Sequence, residues 1–117
     1  MSTIAELDQK LNEAVLTGRA LEAFEELYAD DVVMQENSDD PFVGKALNRE
    51  REIKFFSSIE QFHDGKLLSS AINGNTSFSE WLYDVTFKGG QRVKLEQVAV
   101  RRWKDGKVAF ERFYYKG

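Results

Sequence analysis

The chain has 117 residues, of which 42% are hydrophobic, 13% aromatic and 31% charged, enough for one sizeable core and too few for two. It has no Cys, one His and one Pro, which excludes a disulfide scaffold, a Cys/His zinc site and a Cys nucleophile. The net charge of -4 divides into an acidic stretch, residues 1–64 with 15 acidic and 6 basic side chains, and a basic one, residues 65–117 with 5 and 10.

Ser2 or Thr3, with Glu6 beyond it, has the form of a capping box. Ile4, Leu7, Leu11, Val15 and Leu16 then recur at helical spacing, and Gly18 ends that helix. A second, shorter helix carries Ala20, Leu21, Phe24, Leu27 and Tyr28 on one stripe, and Asp30-Asp31 breaks it. Val32, Val33 and Met34 form a short strand running into Gln35 and Glu36. Asn37-Ser38-Asp39-Asp40-Pro41 is a loop by its turn chemistry, closed by Gly44. A third helix is expected over roughly 45–60, burying Leu47, Ile53, Phe56 and Ile59. Its run Asn48-Arg49-Glu50-Arg51-Glu52-Ile53-Lys54 reads as a solvated face.

After His63 the period changes. Asp64-Gly65 reads as a turn, residues 67–72 as a strand and Asn73-Gly74-Asn75 as another turn. From Phe78 to Phe87 the residues alternate, with Trp81, Tyr83, Val85 and Phe87 on one face. Gly89-Gly90 and Lys104-Asp105-Gly106 are hairpin turns around a long strand from Arg92 to Trp103. Residues 107–115 form the last strand. Helices first, then an antiparallel meander, make an α+β fold: three N-terminal helices packed in a strongly curved antiparallel sheet. Residues 1–117 are read as one domain. The basic residues of the second half are scattered (Lys88, Arg92, Lys94, Arg101, Arg102, Lys104, Lys107, Arg112). The charge split is therefore read as two faces neutralising each other, with no nucleic-acid partner. No signal peptide and no run of 18 apolar residues is visible, so no membrane partner is expected and a cytoplasmic location is the default.

Three segments carry a family resemblance. They are Leu27-Tyr28-Ala29-Asp30-Asp31-Val32-Val33, Pro41-Phe42-Val43-Gly44-Lys45, and Trp103-Lys104-Asp105-Gly106-Lys107-Val108 followed by Phe113-Tyr114-Tyr115. In order and spacing the chain resembles the nuclear transport factor 2-like superfamily, which includes SnoaL-like polyketide cyclases and ketosteroid isomerases. The resemblance implies a cone-shaped α+β barrel around a deep, mostly apolar pocket, and a homodimer formed through the outer sheet face. It does not fix an activity, because one scaffold hosts enzymes, binding proteins and transport factors.

In similar ketosteroid isomerases a strand after an Ala-Asp-Asp turn ends in a carboxylate base. Counted from Ala29-Asp30-Asp31, that position is Glu36. The oxyanion partners of those enzymes, a Tyr on the first helix and an acid on the penultimate strand, fall on Leu11 or Asn12 and near Ala99. Of these only Asn12 can donate a hydrogen bond, so that isomerase mechanism is not expected. Similar cyclases pair an acid/base Asp with a His. Here His63 is placed on a surface turn and Glu111 is what the last strand offers; the Tyr-Tyr-Asp ending of relatives reads Tyr114-Tyr115-Lys116.

Alternation puts Ala109, Glu111, Phe113 and Tyr115 on the inward face of the last strand, and Val108, Phe110, Arg112 and Tyr114 outside. A three-residue loop at Asp105-Gly106 would set Leu95, Gln97 and Ala99 beside Glu111; a two-residue loop would set Glu96, Val98 and Val100 there. The first is preferred. The candidate catalytic set is then Glu36, Glu111 and Gln97. Its walls are Phe24, Tyr28, Trp81, Tyr83, Leu95, Ala99, Phe113 and Tyr115. Paired carboxylates in an apolar cup push their pKa values apart, which suits acid/base chemistry. The plain alternatives are a cross-strand ion pair of Glu111 with Arg101, Arg102 or Arg112, and solvent exposure of Glu36. No metal and no cofactor are expected. The leading expectation is a small-molecule site for an apolar or aromatic ligand, acting as an isomerase, cyclase or dehydratase. The other is a non-catalytic binding or docking module using Leu82, Val98, Val100 and Phe110 on the outer sheet face.

Overall fold

In the computed structural model, which describes residues 2–116, the chain opens with the helix α1 (Ile4–Leu16). A capping box starts it: the Thr3 hydroxyl accepts from the Glu6 amide, and the Glu6 carboxylate accepts from the Thr3 amide. Gly18 stops it with a left-handed φ of 77°, so that the Arg19 amide reaches back to the Ala14 carbonyl at 2.8 Å. Helices α2 (Ala20–Leu27) and α3 (Lys45–Ser57) follow. The strands are β1 (Tyr28–Glu36), β2 (Phe42–Val43), β3 (Ile59–Asn73), β4 (Thr76–Phe87), β5 (Arg92–Lys104) and β6 (Lys107–Tyr115). They form one curved, unclosed six-stranded sheet in the order β2-β1-β6-β5-β4-β3. Its pairs are antiparallel except β1 with β6, which run parallel.

The fold class is the one expected, and four local features differ. Strand β1 runs through Asp30-Asp31, which sit exposed on it where β1 slips against β6 between Tyr28 and Val33. Helix α3 ends at Ser57 and β3 already begins at Ile59, so Asp64-Gly65 lies within a strand. Gly65 is needed there for close packing: a Cβ would meet the Phe62 ring at 2.7 Å. His63 likewise sits on β3, its Nε2 2.7 Å from the Thr86 hydroxyl.

The third difference decides which side chains face inward. Asp105 (φ 51°) and Gly106 (φ 77°) make a two-residue hairpin turn, with Lys104 opposite Lys107. That turn alone would set Glu96, Val98 and Val100 beside Glu111. Instead β6 bulges at Ala109: Trp103 faces Val108, but Arg102 faces Phe110. The extra residue shifts the register by one. Leu95, Gln97, Ala99 and Arg101 therefore share the face of Glu111, the set preferred from the sequence, reached by a bulge and not by a longer loop. Val108, expected outside, is fully buried below the bulge.

The fourth concerns α3. Leu47 (44% exposed) and Ile53 (46%) face solvent, and the buried residue is Asn48. The Asn48 amide donates to the carbonyls of Phe42 (3.0 Å) and Gly44 (2.8 Å), fixing the turn that starts the helix. A buried amide with satisfied partners sets the helix rotation here. Arg51 and Glu52 are thereby carried onto the inner side.

The core joins α1 and α2 to the sheet through Leu11, Ala14, Ala23, Phe24, Leu27, Tyr28, Val32, Met34, Trp103 and Val108. Each fully buried large apolar side chain contributes about 1.5–3 kcal/mol. Truncating Leu27 to Ala is expected to cost about 2–5 kcal/mol in urea unfolding. Leu47→Ala, on the exposed side of α3, is expected to stay within about 0.5 kcal/mol of the wild type. A loss at Leu47 as large as at Leu27 would contradict this rotation of α3.

Candidate functional site

Between the helices and the inner sheet face lies a cavity of about 910 Å³. Leu11 and Val15 from α1, Phe24 from α2 and Phe55 and Phe56 from α3 form one side of its wall. Trp81, Tyr83 and Val85 from β4, Leu95 from β5 and Phe113 from β6 form the other. The Trp81 and Tyr83 rings stack with centroids 5.5 Å apart and planes 14° from parallel. Burial of Tyr83 pushes its hydroxyl well above the ordinary tyrosine range.

Glu36, Glu111, Gln97, Phe24, Tyr28, Trp81, Tyr83, Leu95, Phe113 and Tyr115 all reach this cavity. Ala99 does not: it is 1% exposed, packed within the sheet outside the lining. Tyr115 stands at the rim, 38% exposed. His63 is not among the lining residues. Among the described residues no group of three or more His, Asp or Glu is arranged to hold a metal ion.

Glu111 is held rigidly. Its Oε1 accepts from the Tyr28 hydroxyl at 2.6 Å and its Oε2 from Arg101 Nε at 2.8 Å. Arg101 Nη1 continues to Asp8 Oδ1 (2.9 Å) and Asn12 Oδ1 (2.6 Å), both on α1. Ser77 donates to Asp8 at 2.8 Å and accepts from the Trp103 indole at 2.9 Å. Asp8, Asn12, Ser77, Arg101 and Glu111 are all buried, and no buried side-chain polar atom among the described residues lacks a partner. Burial alone would lower the Arg101 pKa, but the negative charge of Glu111, with Asp8 behind it, outweighs burial and raises it. The Tyr28 hydroxyl is pushed far up, first by burial and then by the Glu111 charge. The cross-strand ion pair was one of the two readings of Glu111, and Arg101 is the partner. Asn12, the only hydrogen-bond donor at the isomerase positions, is spent within this network.

Glu36 is set differently. It is half-buried, its carboxylate 3.3 Å from Arg51 Nη2, while Arg51 Nη1 donates to Asn48 at 2.9 Å. Burial raises its pKa, against the pull of Arg51. Glu52, one residue on, also lines the cavity. Burial, with the negative charge of Glu111 next in weight, pushes its carboxyl from the ordinary 4.5 up to about 8. Arg51 and Glu52 belong to the run that reads as a solvated face. A signal for them was present: Asn48, Arg51, Glu52, Phe55 and Phe56 make one stripe at helical spacing. So do Asp8, Leu11, Asn12 and Val15 on α1. Arg101 was on the inward side of β5 by parity alone.

The network makes a strong stability prediction. Arg101→Met removes the only guanidinium between two buried carboxylates, and is expected to cost about 3–5 kcal/mol in urea unfolding. A loss below about 1 kcal/mol would show that Asp8 and Glu111 do not depend on it.

A family model described as the SnoaL-like domain matches residues 1–115. The chain is 30% identical to a protein from Mesorhizobium loti assigned as a SnoaL-like polyketide cyclase, whose name also carries carbohydrate phosphatase. The two superpose with a TM-score of 0.85 over 97% of this chain and 100% of that one. A Pseudomonas putida protein assigned as a polyketide cyclase superposes with a TM-score of 0.82, at 22% identity, over 99% of this chain and 93% of that one. A Catenulispora acidiphila protein with a ketosteroid isomerase-like fold, in complex with trimethylamine, gives 0.78 at 18% identity, over 97% and 88%. The last two likenesses bear on the fold alone. Among curated proteins no sequence match is found. With nearly the whole chain matched by its model, the protein belongs to the SnoaL-like domain family.

Proposed function

We propose that this chain binds a small, largely apolar molecule in the cavity and performs carboxylate acid/base chemistry on it, of an isomerase, cyclase or dehydratase kind. The observation that carries the reading is a cavity of about 910 Å³ with aromatic walls, whose lining includes the carboxyl groups of Glu36, Glu52 and Glu111. Affinity comes from burying apolar ligand surface, and orientation from the few polar groups. Glu36 is the base: Arg51 favours its ionised form, and its half-buried position lets it reach a ligand. Glu111 is a positioning group, because both its oxygens are already engaged. A panel of small aromatic and polycyclic compounds is expected to raise Tm in a thermal-shift screen, since a ligand bound only to the folded state stabilises it. With a turned-over compound in hand, Glu36→Gln is expected to lower kcat by about 10²–10⁴-fold and leave ligand binding nearly unchanged. Equal losses of binding and turnover would remove Glu36 from the role of base.

We propose also that a second copy covers the outer sheet face. Leu68 (53% exposed), Tyr114 (44%) and Val98 (36%) stand together there, with Leu82 and Val100 half-buried beside them. Glu80 and Glu96 stand among these apolar side chains, and exposed apolar side chains grouped in this way mark interaction surfaces. Size-exclusion at micromolar concentration is expected to give a dimer, and Val98→Lys to weaken it. Elution of the wild type at 13.5 kDa would exclude a stable dimer.

A further inference from the structure

Glu52 stands apart from Glu36 and Glu111, the two acids that face it across the cavity. Glu36 has Arg51, and Glu111 shares Arg101 with Asp8. Among the described residues Glu52 has no ion-pair partner and no side-chain hydrogen-bond partner. Because no sealed side-chain polar atom lacks a partner, the Glu52 oxygens are open to the cavity. The two cations nearest to it are already committed. Arg51 divides its guanidinium between Glu36 and Asn48, and Arg101 between Glu111, Asp8 and Asn12. Facing Glu52 are Glu36 and Tyr28 from β1, Arg51 from its own helix, Tyr83 from β4, Arg101 from β5 and Glu111 from β6; Lys54 of α3, Lys94 and Glu96 of β5 and Lys116 line the same cavity. A carboxylate at this point would add negative charge beside two others in an apolar cup, so the group holds its proton at neutral pH. The Tyr83 hydroxyl and the Gln97 amide also lack protein partners and line the same space. The Tyr83 hydroxyl, which faces Glu52, is uncharged, while the lining farther along the cavity also carries the charged side chains of Lys54, Lys94, Glu96 and Lys116.

We propose that Glu52 is the residue that grips the ligand's polar end, donating a hydrogen bond from its carboxylic acid to a carbonyl oxygen of a neutral aromatic or polycyclic compound. The inference rests on the reading of the cavity as a ligand site, and adds the ligand class and the residue that selects it. The position is on α3, away from the first-helix and penultimate-strand positions of the isomerase resemblance. Above the Glu52 pKa, put at about 8, the donor is lost and a lone carboxylate repels the carbonyl oxygen. Affinity for a neutral ketone should therefore hold below that pH and fall above it.

The test uses Trp fluorescence titration with 1-tetralone, a ketone with no titratable group, and tetralin, the same skeleton without the oxygen. Tetralone affinity is expected to fall about tenfold between pH 7 and 9, the factor given by one group titrating near 8. Tetralin affinity is expected to stay flat. Glu52→Gln, which keeps a donor, should bind tetralone at both pH values with the fall abolished. Glu52→Ala should bind the two compounds alike. If both compounds bind the wild type and the tetralone profile is flat, the role of Glu52 is overturned and the cavity reading stands. If the permanent cation phenyltrimethylammonium binds more tightly above pH 8 while tetralone does not weaken, Glu52 acts as a carboxylate and the ligand class is wrong. If neither tetralone nor tetralin binds, the cavity reading falls and this inference falls with it.

Discussion

The arginine at position 101 is the point on which the rest of the structure depends. It lies in the middle of the sheet, 3% exposed, and touches acids from two directions. On one side it holds Glu111 directly across from it on β6; on the other it holds Asp8 and Asn12 of α1. A buried guanidinium is costly unless its donors are used, and a buried carboxylate is costly without a cation. Each component is therefore tolerable only when the others are present. The first helix can dock in one orientation, because only that orientation brings Asp8 and Asn12 to Arg101. The indole of Trp103 and the hydroxyl of Ser77 extend the same network along the sheet. A sheet that is concave on its helical side and open at both edges is thus tied to its helices by charge as well as by apolar packing.

The network also allocates the chemistry of the cavity. It removes Glu111, Asp8 and Asn12 from any contact with a ligand that needs a free proton or lone pair. Arg51, at the other wall, does the same in part for Glu36 by holding it ionised. Glu52, among aromatic rings, is left without a cation of its own among the described residues. Carboxyl groups in one cavity are separated in their ionisation by which of them the fixed cations reach, and that division follows from two arginines with specific hydrogen-bond partners. In this chain one His lies away from the cavity and Cys is absent.

Much of this was legible in the residues. The capping box at Thr3 and Glu6, the stop at Gly18 and the alternation from Phe78 to Phe87 each follow from local chemistry and hold in the structure. Of the two registers left open for β5, the preferred one set Leu95, Gln97 and Ala99 beside Glu111, and the structure has it, with Arg101 continuing that face. The misreadings have a common cause. Asp64-Gly65 has turn composition, but Gly65 is there because the Phe62 ring lies over it. The charged run on α3 looks solvated because charge usually is, yet Asn48 binds the backbone of the preceding turn and rotates Arg51 and Glu52 inward. Leu47 and Ile53, apolar and at helical spacing, are left outside. Local pattern describes what a segment tolerates; a neighbour distant in sequence decides which of the tolerated states occurs.

The sequence by itself determined the class of fold, the order of helices and strands, and the absence of any Cys and of all but one His. Those depend on periodicity, turn residues and composition, which are properties of neighbouring residues. Only the tertiary structure decided which carboxyl groups are free. The bulge at Ala109 sets the register that brings Arg101 opposite Glu111. The hydrogen bonds of Asn48 set the rotation that brings Glu52 to the cavity. Both are contacts between segments that the chain keeps apart, so the division of 20 acidic and 16 basic side chains into paired and unpaired ones exists only once the fold has closed.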